Sequence, residues 1–592
     1  MAKQRLFSEP LRLCAGLLLL ICSSAVADEK PNILIIFTDD QGYADLACYG
    51  NEKNKTPWLD RLAKEGTRFT SFYAQTVCGP SRSALLTGRY PIRSKGWNMP
   101  ASEITFAELM RESGYQTACI GKWDVSNRRP IIDRMPNAQG FDYYFGPLGA
   151  NDGGGVGFHE NNVKAGSSRD MGGLTTLYTN KAITYLKEKR DPEKPFVLYL
   201  AHTMMHTIIN ASERFRGKSA GGLYGDVVEE FDYETGRLLD ALDELGLSQN
   251  TLVIYTSDNG PWNQPKYTDK KKGHPKGAIF WGESGPLRNG KGSCYEGGYR
   301  LPCIVRWPGK VPAGRVSDAI FATIDFMPTF ASLGGFELPQ DHRMDGIDQS
   351  ELLFGQRETG REHFYFHNAG VRQGKWKYLK AKAHFYGFAI EDDRKKVEEL
   401  YDLEADIGET TNLASKHPKI VAELKQLMKK IQSTQVGKKN AALPQGPRFQ
   451  LDYKKNTPHD GRREIKVTYS DDRIVFDVTD SFGIGGGSIR LLEGSWPEIV
   501  LIRLHLTGLE GFGVTVGNQL FSNAYHPPVV GDLKVRMLDA KGNPLEGRYL
   551  LKSTGPNSSE RIAGYYEAQV PQLALKRGAK KIDLNWVDFY RR

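Results

Sequence analysis

Short apolar runs recur in the first half of the chain, and polar residues follow each run directly. The first is Asn32–Thr38, a β-branched stretch that leads into Asp39 and Asp40. Runs that are apolar on both faces are typical of parallel strands buried between two layers of helices. Three more such runs lie at Gln116–Gly121, Pro195–Ala201 and Thr251–Ser257. Each of the four predicts a buried strand.

Candidate helices lie between these runs. We predict helices at Thr56–Lys64, Thr105–Ser113 and Tyr224–Leu245. Strands that alternate with helices predict an α/β fold with a mostly parallel central sheet. Ligands of such sheets bind beyond the carboxyl ends of the strands. The polar residues after each run are therefore the first candidates for a functional site.

A different pattern begins near residue 464. Apolar and polar residues alternate in short segments divided by turns, among them Ile465–Tyr469, Ile474–Val478, Val500–Leu506 and Ile582–Trp586. A period of two with regular turns predicts a C-terminal β-sandwich. Four aromatic residues of this region predict either core packing or a surface on which sugars stack; they are Trp496, Tyr565, Tyr566 and Phe589.

The first 27 residues predict an export signal. A basic start precedes an apolar core at Leu13–Cys22 and small residues at Ala25–Ala27. The core is too short to span a bilayer comfortably, and no later segment approaches about 18 uninterrupted apolar residues. We therefore expect an exported protein, periplasmic or secreted, with no transmembrane anchor. A lipid anchor at Cys22 is the alternative, but the bulky Ile21 before it disfavours that interpretation.

Composition narrows the choice of partners. The 592 residues include 79 Lys and Arg against 70 Asp and Glu, for a net charge of +9. A modest basic excess suits an anionic substrate, although a solvated lysine-rich surface explains it more simply. The chain contains no nucleic-acid-binding motif, so we expect no nucleic-acid partner. Five of the seven cysteines follow the signal segment, too few for a disulfide scaffold, and their pairing stays open.

The stretch Val77–Arg89 predicts a reactive side chain at a helix end. Gly79 and Pro80 open a short helix, and Gly88 ends it. Cys78 would lie at the helix N-terminus, where free N–H groups favour negative charge. Arg82 follows one turn later and can point the same way. This grouping indicates a site for an oxyanion; a buried structural cysteine is the alternative.

The same stretch resembles a known motif. Cys-x-Pro-Ser-Arg at Cys78–Arg82, followed by Leu-Thr-Gly-Arg at Leu86–Arg89, is similar to the defining motif of the type I sulfatases, arylsulfatase A included. The resemblance covers about Pro31 to Leu413. It implies an alkaline-phosphatase-like fold and oxidation of Cys78 to formylglycine by a formylglycine-generating enzyme. The hydrate of that aldehyde attacks sulfate esters in the family.

Two pairs of residues predict a metal site. Asp39 and Asp40 follow the first strand, and Asp258 and Asn259 follow the last. Their oxygens suit Ca²⁺ or Mg²⁺ and not zinc. One Asp after a strand is more often a turn residue, but two pairs in equivalent positions favour a ligand set. Their flanking residues resemble the sulfatase metal motifs, which implies Ca²⁺ bound to a sulfate oxygen and to formylglycine, with Mg²⁺ as the alternative.

The main departure from the family lies at Asp124. Gly121-Lys122-Trp123 is similar to the family's Gly-Lys-Trp-His, whose lysine and histidine face the sulfate, and Asp124 occupies the fourth position. The resemblance implies sulfate binding by Lys122. Asp124 is either a substitute base or a structural residue. In both cases its charge needs a partner, for which Lys122 and Arg128 are the candidates, or a shifted pKa.

Two further residues are implied by resemblance. The segment ending at His206 is similar to the one that supplies a family histidine, although Met205 stands where proline is usual. We expect His206 to protonate the leaving alcohol oxygen. His202 is the reserve candidate for the base role considered for Asp124. Lys291 lies in a Gly-rich loop that matches the family closely. It would share sulfate binding with Lys122 and His206.

Together these features predict five parts: a signal peptide at 1–27, a catalytic domain at 28–335, a smaller α+β subdomain at 336–435, a linker at 436–463 and the β-sandwich at 464–592. The predicted activity is hydrolysis of sulfate esters on a sulfated carbohydrate. One alternative is a phosphate or phosphonate ester hydrolase of the same fold. The other, suggested by Asp124, is a catalytically impaired protein that binds sulfated glycans. Loops at 151–170 and 261–284 are expected to shape the substrate pocket.

Overall fold

A computed structural model of the chain describes residues 30–131, 134–262, 281–339, 343–383 and 396–433, together with the backbone of thirteen strands between 448 and 591. The predicted signal peptide lies outside the described residues. None of the described helices has the length and hydropathy that a membrane span requires.

An eleven-stranded sheet forms the centre of the described structure. Its strands run in the spatial order β10-β2-β9-β8-β1-β7-β3-β4-β5-β6, and β11 pairs with β2. The strands are β1 (Asn32–Thr38), β2 (Thr67–Tyr73), β3 (Gln116–Gly121), β4 (Tyr143–Pro147), β5 (Val156–Glu160), β6 (Val163–Ser168), β7 (Phe196–Ala201), β8 (Thr251–Ser257), β9 (Arg300–Arg306), β10 (Arg315–Ser317) and β11 (Phe321–Ala322). The central group β8-β1-β7-β3-β4 is parallel, whereas β9, β5 and β6 are antiparallel to their neighbours. This confirms the predicted α/β fold and all four predicted strands.

Ten α-helices are described. They are α1 (Pro57–Glu65), α2 (Cys78–Thr87), α3 (Pro91–Ser94), α4 (Phe106–Glu112), α5 (Leu174–Thr184), α6 (Gly222–Glu244), α7 (Glu296–Tyr299), α8 (Phe326–Gly334), α9 (Ser350–Leu353) and α10 (Pro418–Ser433). A π-helical turn at Tyr185–Lys189 extends α5. Short 3₁₀ turns lie at Ala47–Tyr49, Pro136–Gln139, Ser248–Asn250 and Thr323–Asp325. The start of α4 is fixed by a capping box between Thr105 and Glu108.

The central sheet is covered on both faces. Leu34 and Ile36 of β1 pack on one side, where α1, α5 and α6 supply the opposing residues. Ile33, Ile35 and Phe37 pack on the other side against α2, α4, α8 and α9. A fully buried aliphatic side chain contributes roughly 1.5–3 kcal/mol. This double burial explains why the run is apolar throughout, and it holds the strand ends in fixed positions.

A second sheet lies within the predicted subdomain. Its four antiparallel strands run in order: β12 (His363–Phe366), β13 (Gly370–Gln373), β14 (Trp376–Leu379) and β15 (Glu399–Asp402). Helix α10 contacts β13 and β14. It buries Val421, Leu424, Met428 and Ile431, an apolar stripe at helical spacing that forms part of the core.

The C-terminal strands form separate sheets. Two have five strands, β16-β19-β27-β23-β24 and β17-β18-β20-β26-β25, and one has three, β22-β21-β28. The strands are β16 (Arg448–Lys455), β17 (Arg463–Tyr469), β18 (Arg473–Asp480), β19 (Gly485–Glu493), β20 (Ile499–Leu509), β21 (Phe512–Val516), β22 (Gln519–Phe521), β23 (Val535–Leu538), β24 (Pro544–Leu545), β25 (Lys552–Ser553), β26 (Ile562–Val570), β27 (Lys581–Trp586) and β28 (Phe589–Arg591). All pairings are antiparallel except β18 with β20.

The stretch predicted as a linker contains a strand. Strand β16 lies inside the stretch predicted as a linker at 436–463. Its alternation of Phe449, Leu451 and Tyr453 with polar residues was a strand signal that the surrounding Lys, Gln and Pro residues obscured. The side chains of Trp496, Tyr565, Tyr566 and Phe589 lie outside the described part, so the choice between core and sugar platform stays a prediction.

Buried charges join the central sheet to the four-stranded sheet. Lys377 of β14 is fully buried, with its Nζ 2.9 Å from Glu296 Oε1 and 2.7 Å from Glu409 Oε1. Glu296 also accepts a hydrogen bond from Tyr73 Oη at 2.5 Å and pairs with Arg300 at 3.4 Å. Helix α7, which leads directly into β9, is thereby tied to the four-stranded sheet through one ammonium group.

Replacing Lys377 by Met should lower the temperature of unfolding substantially, because removing one partner of a buried ion pair costs about 3–5 kcal/mol. Scanning calorimetry of the full chain measures this. Lys375→Met is the matched control, since Lys375 pairs with Asp402 at the surface and its loss should shift the transition far less. Equal shifts in the two variants would contradict a stabilising role of Lys377.

Candidate active site

The site is built where the parallel strands end. Strands β8, β1, β7 and β3 are consecutive neighbours in the sheet, so the residues after them meet at one edge. Asp39 and Asp40 follow β1, Asp258 and Asn259 follow β8, Lys122 follows β3 and His206 follows β7. All six of these side chains are buried. The topology therefore brings together residues that are more than 200 positions apart in the chain.

Cys78 lies beside the strand ends, at the first position of α2. The backbone of Val77 is extended (φ −151°, ψ 158°), and the left-handed Gly88 ends the helix. The Sγ atom donates a hydrogen bond to Asp39 Oδ1 at 3.3 Å, and Lys291 Nζ lies 3.6 Å from it. Burial and the nearby Asp258 carboxylate raise the pKa of the Cys78 thiol well above its usual range.

Arg82 contacts the carboxylates of Asp258 and Asp39 and holds them in place. Its Nε and Nη2 donate to Asp258 Oδ2 at 3.1 and 2.9 Å, and Nη1 donates to the carbonyl of Lys122 at 3.0 Å. Nη2 also lies 3.7 Å from Asp39 Oδ2. The guanidinium therefore links the ends of β1, β3 and β8. Its Nε and Nη2 donors converge on one carboxylate oxygen of Asp258, and such charge-assisted hydrogen bonds are stronger than neutral ones.

The four predicted metal ligands adjoin one another. Asp40 adopts a left-handed backbone (φ 58°), and its amide donates to Asp258 Oδ1 at 3.2 Å. Asn259 Nδ2 donates to Asp40 Oδ1 at 2.8 Å, while Asn259 Oδ1 is buried and makes no hydrogen bond to any described residue. A buried carbonyl oxygen without a donor, set among three carboxylates, fits a hard cation such as Ca²⁺ or Mg²⁺.

The ligand atoms also reach the cysteine and the histidine. Single ligand atoms of Asp39, Asp40, Cys78 and His206 all lie within 4.8 Å of one another. Burial alone raises the pKa of Asp39, but the charges of Lys122, His206 and Arg82 outweigh it and hold that pKa below the usual range. The carboxylate is thus ionised and able to bind a cation at neutral pH.

Two lysines face the carboxylates. Lys122 Nζ lies 2.5 Å from Asp39 Oδ2, and Lys291 Nζ lies 2.6 Å from Asp40 Oδ1. Burial works against both charges, but Asp124 and Asp39 raise the pKa of Lys122, and Asp40 raises that of Lys291. Both ammonium groups therefore stay charged next to Cys78.

His206 has a defined tautomer. Its Nδ1 lies 2.6 Å from the carbonyl oxygen of Thr207, which only accepts, so Nδ1 carries a hydrogen. Nε2 then faces Asp40 Oδ2 at 3.8 Å and Asp152 Oδ1 at 3.6 Å. Burial and the Lys291 charge lower the pKa of His206.

His202, the reserve candidate, lies in a different environment. Its ring packs edge-on against Tyr178 and Phe231, with centroids 5.7 and 4.7 Å away. Burial and the Arg82 charge lower its pKa to about 3. His202 is therefore a neutral residue of an aromatic core, and the structure removes it from the candidates for proton transfer.

Asp124 is fully buried and paired on both oxygens. Oδ1 accepts from Arg128 Nε at 2.7 Å, and Oδ2 accepts from Trp97 Nε1 at 3.1 Å and lies 3.6 Å from Lys122 Nζ. The expected pairing with Lys122 or Arg128 is thus present with both. Because donors occupy both oxygens, the geometry favours a positioning role over that of a base.

Two residues near the site were not predicted. Asp152 faces His206, and its only sequence signal was its place in the loop expected to shape the pocket. Trp97 lies over Gly79, where an added Cβ would come within 2.3 Å of the indole Cδ1. Glycine is therefore required beside Cys78. Of the second predicted loop, residues 263–280 lie outside the described part.

Comparison with known proteins gives consistent matches. Residues 31–336 match the sulfatase family, and residues 289–435 match the C-terminal part of N-sulphoglucosamine sulphohydrolase. The chain is 33% identical to the N-acetylgalactosamine-6-O-sulfatase of Bacteroides thetaiotaomicron over 68% of this chain and 94% of that protein. It is 34% identical to arylsulfatase A of Homo sapiens over 70% of this chain and 90% of that protein.

Solved structures agree with these matches. One comes from a study of the metabolism of multiple glycosaminoglycans by Bacteroides thetaiotaomicron; its TM-score is 0.60 at 30% identity, over 68% of this chain and 99% of that chain. Another is Ps i-CgsB in complex with k-i-k-neocarrahexaose, with a TM-score of 0.57 at 26% identity, over 68% and 92%. The chain is thus similar to both proteins in structure as well as in sequence.

The geometry predicts a protected thiol. If the chain is produced with an unmodified Cys78, iodoacetamide should label this residue slowly in the native protein, because it is 2% exposed and the thiolate is the reactive form. Peptide mass analysis before and after unfolding measures the labelling. The half-buried Cys48 is the internal comparison. Rapid native labelling of Cys78 would contradict the described burial.

Proposed function

Because the chain belongs to the sulfatase family and is a sulfuric ester hydrolase, we propose that it removes sulfate from a sulfated carbohydrate, with formylglycine at position 78 and Ca²⁺ as cofactors. The observation that carries this proposal is the position of Cys78 Sγ, in contact with Asp39 Oδ1 and Lys291 Nζ at a helix N-terminus. The N-acetylgalactosamine-6-O-sulfatase among the relatives supports a sugar substrate. Mg²⁺ is the alternative cation.

Sulfate binding is assigned to the buried cations. Lys122 and Lys291 present fixed positive charge beside residue 78, and the N-terminus of α2 adds its free N–H groups. Preorganised charges in a site closed to water act more strongly than the same charges in solution. Asp39, Asp40, Asp258 and Asn259 would hold the cation, which supplies the further positive charge that an anionic ester needs next to three carboxylates.

Formylglycine, once formed, supplies the nucleophilic hydroxyl of an aldehyde hydrate. The chain's own residues then position the reactants. Asp39 Oδ1 accepts a hydrogen bond from residue 78 and so orients that group, and Lys291 Nζ approaches it from the loop before α7. Arg82 acts through its two hydrogen bonds to Asp258 Oδ2. It is a positioning residue that keeps three strand ends in register.

His206 is proposed as the proton donor. The donor is the imidazolium form, in which both ring nitrogens carry a hydrogen and whose charge the Asp40 and Asp152 carboxylates near Nε2 favour. As the bond between sulfur and the ester oxygen breaks, that oxygen gains negative charge and takes the proton from Nε2, which leaves the neutral ring with its hydrogen on Nδ1. The Nδ1–H bond to Thr207 fixes the ring so that Nε2 faces the site. Asn151 Nδ2 supports the same segment by donating to the carbonyls of His206 and Ile208 at 2.9 and 2.7 Å.

Asp124 is proposed to position Lys122. Its carboxylate lies 3.6 Å from the Lys122 ammonium and, with Asp39, compensates the lysine charge; Trp97 and Arg128 hold it in place. The ammonium is thereby kept in contact with two carboxylates, next to the proposed sulfate site. This role accounts for an aspartate at the position that the family's motif gives to histidine.

Maturation and location are also proposed. Cys78 is 2% exposed, so a formylglycine-generating enzyme must meet this segment before the chain folds. Residues 1–27 are proposed to export the protein to the periplasm or medium. We keep the division into a catalytic domain (28–335), a subdomain (336–435) and a C-terminal β-sandwich, which now begins at or before β16.

Cys78→Ala should abolish sulfate release from 4-nitrophenyl sulfate and from sulfated sugars, because no other residue supplies the nucleophile. Mass analysis of the peptide around position 78 should show the aldehyde in the active wild-type protein. Cys48→Ala is the control and should stay active. Unchanged turnover in Cys78→Ala would overturn the mechanism, and faster hydrolysis of matched phosphate esters would favour a phosphoryl-transfer enzyme.

Removal of the metal should reduce turnover by about 100-fold or more, since a bound cation stabilises several kcal/mol of developing charge. Activity after dialysis against a chelator, and its recovery with Ca²⁺ or Mg²⁺, measures the effect. Asp40→Asn should weaken Ca²⁺ binding in a calorimetric titration, and Asp170→Asn, an exposed residue, should not. Full activity of protein shown to be metal-free would exclude the cation.

A further inference from the structure

Arg128 and Asp152 form an open pair at the edge of the otherwise closed site. Their side chains are 41% and 48% exposed, whereas those of Asp39, Lys122 and Asp124 are fully buried. The sulfate of a bound ester occupies the buried part, so the alcohol to which it is attached must extend toward solvent. Residues at this edge therefore meet the leaving group and not the sulfate.

The proposed proton donor, His206, indicates where the leaving group lies. Asp152 Oδ1 lies 3.6 Å from Nε2, the atom proposed to protonate the leaving oxygen. Arg128 Nη1 in turn lies 2.9 Å from Asp152 Oδ2. Both side chains are thus within reach of the atoms next to the ester oxygen.

The pair is held rigidly. The buried carboxylate of Asp124 accepts from Arg128 Nε at 2.7 Å. The stem of Arg128 passes Gly149 so closely that an added Cβ would lie 3.1 Å from its Cδ. Asn151, which precedes Asp152, is fixed by its bonds to the carbonyls of His206 and Ile208. Preorganised polar groups bind a ligand with a smaller loss of conformational entropy.

From this arrangement we propose that Arg128 and Asp152 bind neighbouring hydroxyl groups of the sugar, next to the sulfated carbon, and so select carbohydrate over aryl sulfates. A carboxylate only accepts and a guanidinium only donates, and two adjacent sugar hydroxyls offer both functions. Arg128 Nη2 makes no hydrogen bond to any described residue. An aryl leaving group has no hydroxyl at this place.

The proposal also gives Asp124 a second role. An aspartate here fixes both Lys122 on the sulfate side and Arg128 on the sugar side. A histidine could not accept from a lysine and an arginine at once, because a neutral ring has one acceptor nitrogen. The substitution at position 124 therefore connects sulfate binding to recognition of the sugar.

The inference rests on the proposed sulfatase function, and its test separates the two. Asp152→Asn and Arg128→Gln are compared with the wild type, with Arg129→Gln, an exposed neighbouring arginine, as the control. The readout is the ratio of kcat/KM for a sulfated monosaccharide to kcat/KM for 4-nitrophenyl sulfate. Loss of a hydrogen bond to a charged group should lower this ratio about 10- to 100-fold in both variants, and Arg129→Gln should keep it.

A second readout is independent of turnover. On the Cys78→Ala background, calorimetric titration with the sulfated monosaccharide should give a Kd raised by a similar factor in Asp152→Asn and Arg128→Gln. An unchanged ratio and an unchanged Kd would overturn the sugar-binding role, as would an equal loss with the aryl substrate, which would make the pair a support of the catalytic centre. If the wild type releases sulfate from no ester, the proposed function itself fails.

Discussion

Oppositely charged side chains alternate among the buried residues of the site, and the rest of the site depends on that alternation. Asp39 lies between Lys122 and Arg82, Asp40 beside Lys291, and Asp258 against Arg82. An isolated buried charge would be strongly unfavourable, whereas a paired and hydrogen-bonded one is tolerated. The strand ends therefore have to meet in one register, because a displaced strand would leave a carboxylate or an ammonium without its partner.

The backbone is shaped to permit this convergence. Gly121 lies in the left-handed region at φ 108°, and an added Cβ there would lie 1.8 Å from the carbonyl oxygen of Ala201. Only glycine lets β3 and β7 approach so closely just before Lys122. Asp40 and Asp124 adopt left-handed conformations as well, at φ 58° and 59°. Such conformations are unfavourable for residues with a Cβ, and they occur here at two side chains that face the site.

The sequence contained much of this arrangement because strand ends are local features. An apolar run followed by Asp-Asp or Asp-Asn can be recognised in the sequence alone. Parallel strands then place the residues that follow such runs at the same edge of the sheet. The contacts of Asp152 and Trp97 were not visible in the same way. Both depend on loops that return to the site from other parts of the chain, and loop paths follow from tertiary packing rather than from periodicity.

The prediction for Arg82 shows a related limit. Helical spacing placed it on the side of Cys78, which the structure agrees with, but the helix pattern could not tell whether the guanidinium would meet substrate or protein. The answer depends on Asp258, which is 176 positions away. Strand β16 was missed for the opposite reason, since its local alternation was present but short and was surrounded by polar residues.

Asp124 illustrates how one substitution changes the balance of a buried site. A protonated histidine would add positive charge next to Lys122, whereas an aspartate adds negative charge. The structure compensates that charge with Arg128, whose guanidinium lies at the solvent edge and is shared with Asp152. The buried carboxylate of Asp124 needs Arg128 as its partner. This ion pair restricts the Arg128 side chain, although 41% of that side chain is exposed. The need to compensate the buried charge of Asp124 thereby fixes the position of Arg128, and with it the contact between Arg128 and Asp152 at the solvent-exposed edge of the site.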